Sequence, residues 1–123
     1  MITREKIFEF IKTLPDADFD YPFKEDFFSA VLRRKYSRKW FGVLLKVPQK
    51  YLIEYGYDSG SGGSEAVNLK CPPDLRDFIC GKYCGVLPAY HMNKTHWVSI
   101  VLSSDLTERD FKKLISVSYE LTR

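Results

Sequence analysis

Nine residues, Lys39 to Val47, alternate as only an extended strand can. Phe41, Val43, Leu45 and Val47 fall on one side, Trp40, Gly42, Leu44 and Lys46 on the other, and Pro48 ends the run. A strand with an apolar side needs neighbours in a sheet and a layer packed against that side. The 123 residues are 45% hydrophobic and 15% aromatic, enough for the core of a single domain spanning 1–123.

The flanking segments supply the other elements. Ile7, Phe8, Phe10, Ile11 and Leu14 lie on one helical stripe, Thr3 stands as N-cap and Pro15 closes the run. Asp16 to Pro22 reads as a loop. Phe27 to Arg33 reads as a strand, with Lys35 to Arg38 turning into the alternating run. Tyr51 to Tyr55 fits either a short strand or an irregular connection. A mobile Gly/Ser loop covers about 56–64, and Ala66 to Lys70 forms a short strand. Pro72-Pro73-Asp74 opens a second helix that Gly85 stops. Val86 to Met92 and His96 to Leu102 make a hairpin turning at Asn93-Lys94. In the last helix Thr107 is the N-cap, Asp110 sits at N3, and Leu106 and Phe111 form a hydrophobic staple.

The expected fold is therefore α+β and two-layered: an antiparallel sheet with helices on one face, in the order α-β3-α-β2-α. Alternation puts Phe41, Val43, Leu45, Val98, Ile100 and Leu102 under the helices. It puts Trp40, Leu44, Lys46, Asn68, Lys70, Trp97 and Ser99 on the open side.

Charge is unevenly spread. Residues 1–28 carry a net −3, residues 29–53 a net +7 with no acid at all, and residues 54–123 a net −1, for a total of +3. One segment, holding Arg33, Arg34, Lys35, Arg38 and Lys39 around a turn, thus concentrates the basic excess.

Other chemistry finds little footing. Cys80, Cys84, His91 and His96 are ligand types, but Cys-x3-Cys followed by His-x4-His matches no standard zinc spacing. No nucleophile elbow or phosphate-binding loop is present. Neither an enzyme nor a cofactor is expected. Three cysteines (Cys71, Cys80, Cys84) read as reduced thiols. No apolar run approaches the ~20 residues of a membrane span, and the N-terminus lacks a signal-peptide layout. The expected setting is the cytoplasm, without membrane contact.

Tyr90-His91-Met92-Asn93-Lys94-Thr95-His96-Trp97, with Asn68-Leu69-Lys70-Cys71-Pro72 upstream and Ser118-Tyr119-Glu120-Leu121 at the end, resembles the MmcQ/YjbR family of small bacterial proteins. The resemblance runs from about Pro15 to Leu121 and includes Lys39-Trp40-Phe41. It implies a two-layer α+β fold of the CyaY-like or secretion-chaperone-like kind. It also implies DNA binding of a double-wing type, a label the family carries by structural analogy. The Gly/Ser stretch at 59–64 is longer than the usual family connection.

Two functions follow as expectations. In the first, Arg33, Arg34, Lys35, Arg38 and Lys39 contact the phosphates of DNA or another nucleic acid, Lys46, Lys70 and Lys94 extend the track, and Trp40 and Trp97 stack on bases. In the second, the same open face docks a protein partner, as a chaperone or adaptor would, with Trp40, Leu44 and Trp97 as anchors. A third reading, an enzyme or small-ligand protein centred on Tyr90, His91, Asn93 and His96, requires a concave pocket. The chain is expected to be a monomer or a weak dimer.

Overall fold

In the computed structural model, residues 2–60 and 62–123 are described, so Ser61 of the Gly/Ser loop and Met1 lie outside the described residues. The elements run α1 (Arg4–Ile11), β1 (Ala17–Asp20), β2 (Ala30–Arg34), β3 (Trp40–Pro48), α2 (Gln49–Glu54), β4 (Gly63–Lys70), α3 (Pro73–Cys80), β5 (Val86–Pro88), β6 (Trp97–Val101) and α4 (Glu108–Glu120). All strand pairs are antiparallel, and the sheet order is β1-β2-β3-β4-β6-β5. The α+β class is as expected. The order of elements differs from the expected one by an added strand and an added helix.

The added strand, β1, lies in the acidic stretch expected to be a loop. It pairs with β2 at the sheet edge, and Phe19 stacks on Phe8 of α1 with ring centroids 4.0 Å apart. A short, charged edge strand of this kind resists pairing with other chains. The added helix, α2, fills the segment that fitted either a strand or a connection. Pro48 stands at its N-cap. At its end Gly56 has φ +82°, the Gly56 N–H donates to Ile53 O at 2.9 Å, and the Tyr57 N–H donates to Leu52 O at 2.9 Å. These two bonds are a Schellman ending, which needs a left-handed residue where the glycine stands.

Several element ends also shift. β2 begins at Ala30 rather than Phe27, β4 at Gly63 rather than Ala66, and α3 ends at Cys80, with Gly81 rather than Gly85 at its stop. β5 stops at Pro88, so the expected tight hairpin is a longer connection between paired strands. The N-caps hold: Thr3 Oγ1 accepts from the Lys6 N–H and Thr107 Oγ1 from the Asp110 N–H.

The main core lies between the sheet and helices α1, α3 and α4. Ile7 and Ile11, Ile79, and Phe111 and Ile115 from those helices meet Leu32, Phe41, Leu44, Val67, Leu69 and Ile100 of the sheet. Each such side chain contributes about 1.5–3 kcal/mol by leaving water. A second, smaller core lies on the opposite face, where Leu52 of α2 covers Val47, Ala66, Leu87 and Val101.

A bulge corrects the expected face assignment. Leu32 pairs with Gly42 but Arg33 pairs with Trp40, leaving Phe41 as the extra residue. One inserted residue exchanges the faces for everything beyond it. Phe41 and Leu44 therefore both reach the main core, with the Phe41 ring 5.6 Å from Tyr119 of α4. Val43 and Leu45, expected under the helices, line the opposite face instead. Lys46, expected on the open side, pairs in register with Glu65, which is ion-paired to Arg4 of α1 at 2.6 Å. Lys46 is thus on the helix side.

Candidate binding cleft on the sheet face

α2 covers only part of the second face. The remainder is a cleft of about 330 Å³ whose floor is Val43, Leu45 and Asn68. Trp40 with Phe23, Asp26 and Ser29 forms one wall, and Tyr90, His91 and Met92 form the other.

The first wall is organised by Asp26. Its Oδ1 accepts the N–H groups of Phe28 and Ser29, each at 2.9 Å. The bonds from Ser29, and then from Phe28, hold this carboxyl below the usual carboxylate range. Phe23 meets Trp40 edge-on, with centroids 6.0 Å apart, and the Arg33 guanidinium lies 5.5 Å from the Trp40 ring. The tryptophan is therefore fixed on two sides. The same segment leaves Tyr21, Phe27 and Phe28 exposed, Phe27 by 86%. Such exposure of phenylalanine is uncommon in a solvated loop.

The second wall is pinned by a buried polar network. Asn68 Nδ2 donates to Tyr90 O at 2.9 Å, Ser99 Oγ donates to Asn68 Oδ1, and the Tyr90 N–H donates to Ser99 Oγ at 2.9 Å. Asn68 and Ser99 are completely buried, so all three groups depend on one another for partners. Tyr51 of α2 donates to Pro88 O at 2.8 Å, and burial pushes its phenol well above the usual tyrosine range. Its ring lies 5.0 Å from that of Tyr90, which is 3.8 Å from the His91 imidazole. His91 has φ +64°, a conformation that non-glycine residues adopt mainly where surrounding structure imposes it.

The expected quartet of Tyr90, His91, Asn93 and His96 is split. Tyr90 and His91 line the cleft, whereas Asn93 and His96 do not. Asn93 Oδ1 accepts the Thr95 and His96 N–H groups at 2.9 and 3.0 Å, making a local turn.

The basic wing is largely occupied by its own chain. Arg33 pairs with Asp20 at 3.0 Å, and Arg38 reaches the same carboxylate at 3.1 Å. Arg34 is turned inward: it donates to Tyr119 O at 2.7 Å and to Thr122 Oγ1 at 3.1 Å, with Asp16 at 3.6 Å. A cation there also suits the negative end of α4. Lys35 and Lys39 are exposed. Lys70 pairs in register with Trp97, Lys94 sits 5.7 Å from the Tyr51 ring, and Trp97 does not line the cleft.

The parts of the cleft absent from the sequence-based expectation are Asp26, Ser29, Val43, Leu45 and Met92. For Val43 and Leu45 the obstacle was the bulge. For the first wall, the one signal was the density of aromatics between Tyr21 and Phe28, which has neither helical nor strand periodicity.

The three cysteines are free thiols. Burial pushes Cys71 up to about 11 and raises Cys80 as well. Among the described residues no group of three or more His, Cys, Asp or Glu is placed to hold a metal ion. No described helix is long and apolar enough to cross a membrane.

Comparison with known proteins bears on the whole arrangement. YyaQ of Bacillus subtilis, an uncharacterised protein, is 39% identical over the full length of both chains. YjbR of Escherichia coli K12, also uncharacterised, is 33% identical over 55 residues, which is 45% of this chain and 47% of that one. A crystal structure of a Pseudomonas syringae protein superposes with a TM-score of 0.86 at 29% identity, covering 99% of this chain and 100% of the other. A Deinococcus radiodurans protein shares the fold at 20% identity, with a TM-score of 0.74 over 97% of this chain and 77% of its own. A family model described as YjbR matches residues 12–121, and the chain belongs to the YjbR family.

Proposed function

We propose that this chain is a cytoplasmic protein-interaction module that seats a segment of a partner protein in the cleft between Trp40 and Tyr90. The observation that carries this is a preformed, mainly apolar cleft adjoining an exposed aromatic segment, Tyr21 to Phe28. Interfaces are enriched in aromatic residues and methionine, and their strongest anchors are central aromatics. Trp40, braced by Phe23 and Arg33, needs little further ordering on binding, which favours affinity. Three free cysteines fit a reducing compartment.

Nucleic-acid binding by the wing has weaker support. Arg33, Arg34 and Arg38 are engaged by Asp16 and Asp20, and releasing them forfeits those contacts. The exposed lysines, Lys35 and Lys39, are the observation in its favour. About four to six phosphate contacts would require a log–log salt slope near −3 to −5.

The test is selection of peptides on the full chain from a displayed library, followed by calorimetric titration of the selected peptides against the chain and its variants. Binding should be lost in Trp40→Ala and unaffected by Lys35→Glu with Lys39→Glu. Duplex or single-stranded DNA binding with the steep salt slope, abolished by the two lysine reversals, would overturn the proposal.

A further inference from the structure

The cleft is apolar except at a few points, and its charge is one-sided. Asp26 is the one carboxylate lining it, and no lysine or arginine does. Among the described residues no cation lies within ion-pair distance of Asp26, and Arg4, which rests on the Phe28 ring, is taken up by Glu65. A carboxylate beside Phe23 and Trp40, whose rings meet at 86°, combines a negative charge with the electron-rich faces that attract organic cations. The same ring chemistry is already used within the molecule, where guanidinium groups lie against Trp40 and Phe28.

We infer that the partner's anchor is a basic side chain, lysine or arginine. Its alkyl stem lies on Val43 and Leu45, and its charged head sits between the Phe23–Trp40 corner and the Asp26 carboxylate. Long basic side chains suit such a site because the stem buries apolar surface while the head keeps polar company. Tyr90 and Met92 close the opposite side of the stem, and Asn68, whose amide is spent on Tyr90 O, contributes shape rather than charge. This assignment rests on the cleft being the docking site.

The test uses two short capped peptides, identical except that a central lysine in one is norleucine in the other. Each is titrated against the full chain while backbone and indole N–H signals are followed by NMR. The lysine peptide should shift Trp40, Asn68 and His91 and bind about five- to tenfold more tightly than the norleucine peptide. Asp26→Asn should abolish that preference without unfolding the loop, because asparagine keeps an oxygen able to accept the Phe28 and Ser29 N–H bonds. Equal binding of both peptides in the cleft would overturn the basic anchor and leave the docking site standing. Failure of both to shift cleft signals would overturn the two together. A lysine preference that survives Asp26→Asn would overturn the role of the carboxylate.

Discussion

The two faces of this sheet are built from the same strands yet have opposite fates. Towards α1, α3 and α4, alternate residues such as Leu32, Leu69 and Ile100 are wholly buried in one continuous core. On the other face, Leu52 and Tyr51 of α2, with Tyr57 and Tyr90, cover Val47, Ala66, Leu87 and Val101, and the neighbouring stretch over Val43 and Leu45 is left as a cleft. The first face has three helices to cover it; the second has six residues of helix and two loops. Closing one face completely stabilises the domain, so the other can keep an apolar site open at little cost to folding.

Truncations on the two faces should therefore differ in kind. The largest effect is expected for Phe111→Ala in the main core, which should lose about 3–5 kcal/mol in urea denaturation. Leu52→Ala under α2 should lose about 2 kcal/mol, near the lower end for a buried leucine, because a peripheral helix can settle into the space. A loss equal to that of Phe111→Ala would mean that the two cores are energetically one. Asn68→Ala should cost about 1–3 kcal/mol by stranding Tyr90 O and Ser99 Oγ. It should also speed amide exchange at residues 90–92 more than in the strands. Phe27→Ser should change stability by no more than about 0.5 kcal/mol, yet weaken binding of any peptide that docks in the cleft.

The smallest effect separates the buried core from the exposed surface by thiol chemistry. Cys71, buried in the main core with its thiol pushed up to about 11, has about one thiolate in a thousand at pH 8. Alkylation followed by mass spectrometry should mark exposed Cys84 first and Cys71 last. The linked stability is fully present below the ordinary thiol value of about 8.5. It is lost as pH climbs through about 11, because only the unfolded chain ionises Cys71 readily. Early labelling of Cys71 would show that the core beneath α3 opens locally.

Much of the scaffold was legible because its signals are local. Thr3 and Thr107 bind the N–H groups three residues on, and the Pro48–Gly56 frame of α2 was visible in principle from its punctuation. The basic wing shows the opposite case. Arg33, Arg34 and Arg38 look like a free cationic patch along the chain, but pairing of β1 with β2 brings Asp16 and Asp20 against them. The ion pairs span thirteen to eighteen positions in sequence, and no count of local charge anticipates them.

By itself the sequence determined the α+β class, the N-caps of two helices, the stripes of three and the family, because each depends on residues within a few positions of one another or on motifs read in order. Tertiary structure alone decided which face each residue of the central strand occupies, since one extra residue at Phe41 reverses the alternation beyond it. It also decided that the wing's three arginines are engaged at home and that the second face holds an apolar cleft lined by a single carboxylate. Both come from contacts between distant segments, whose energies depend on proximity in space and not along the chain.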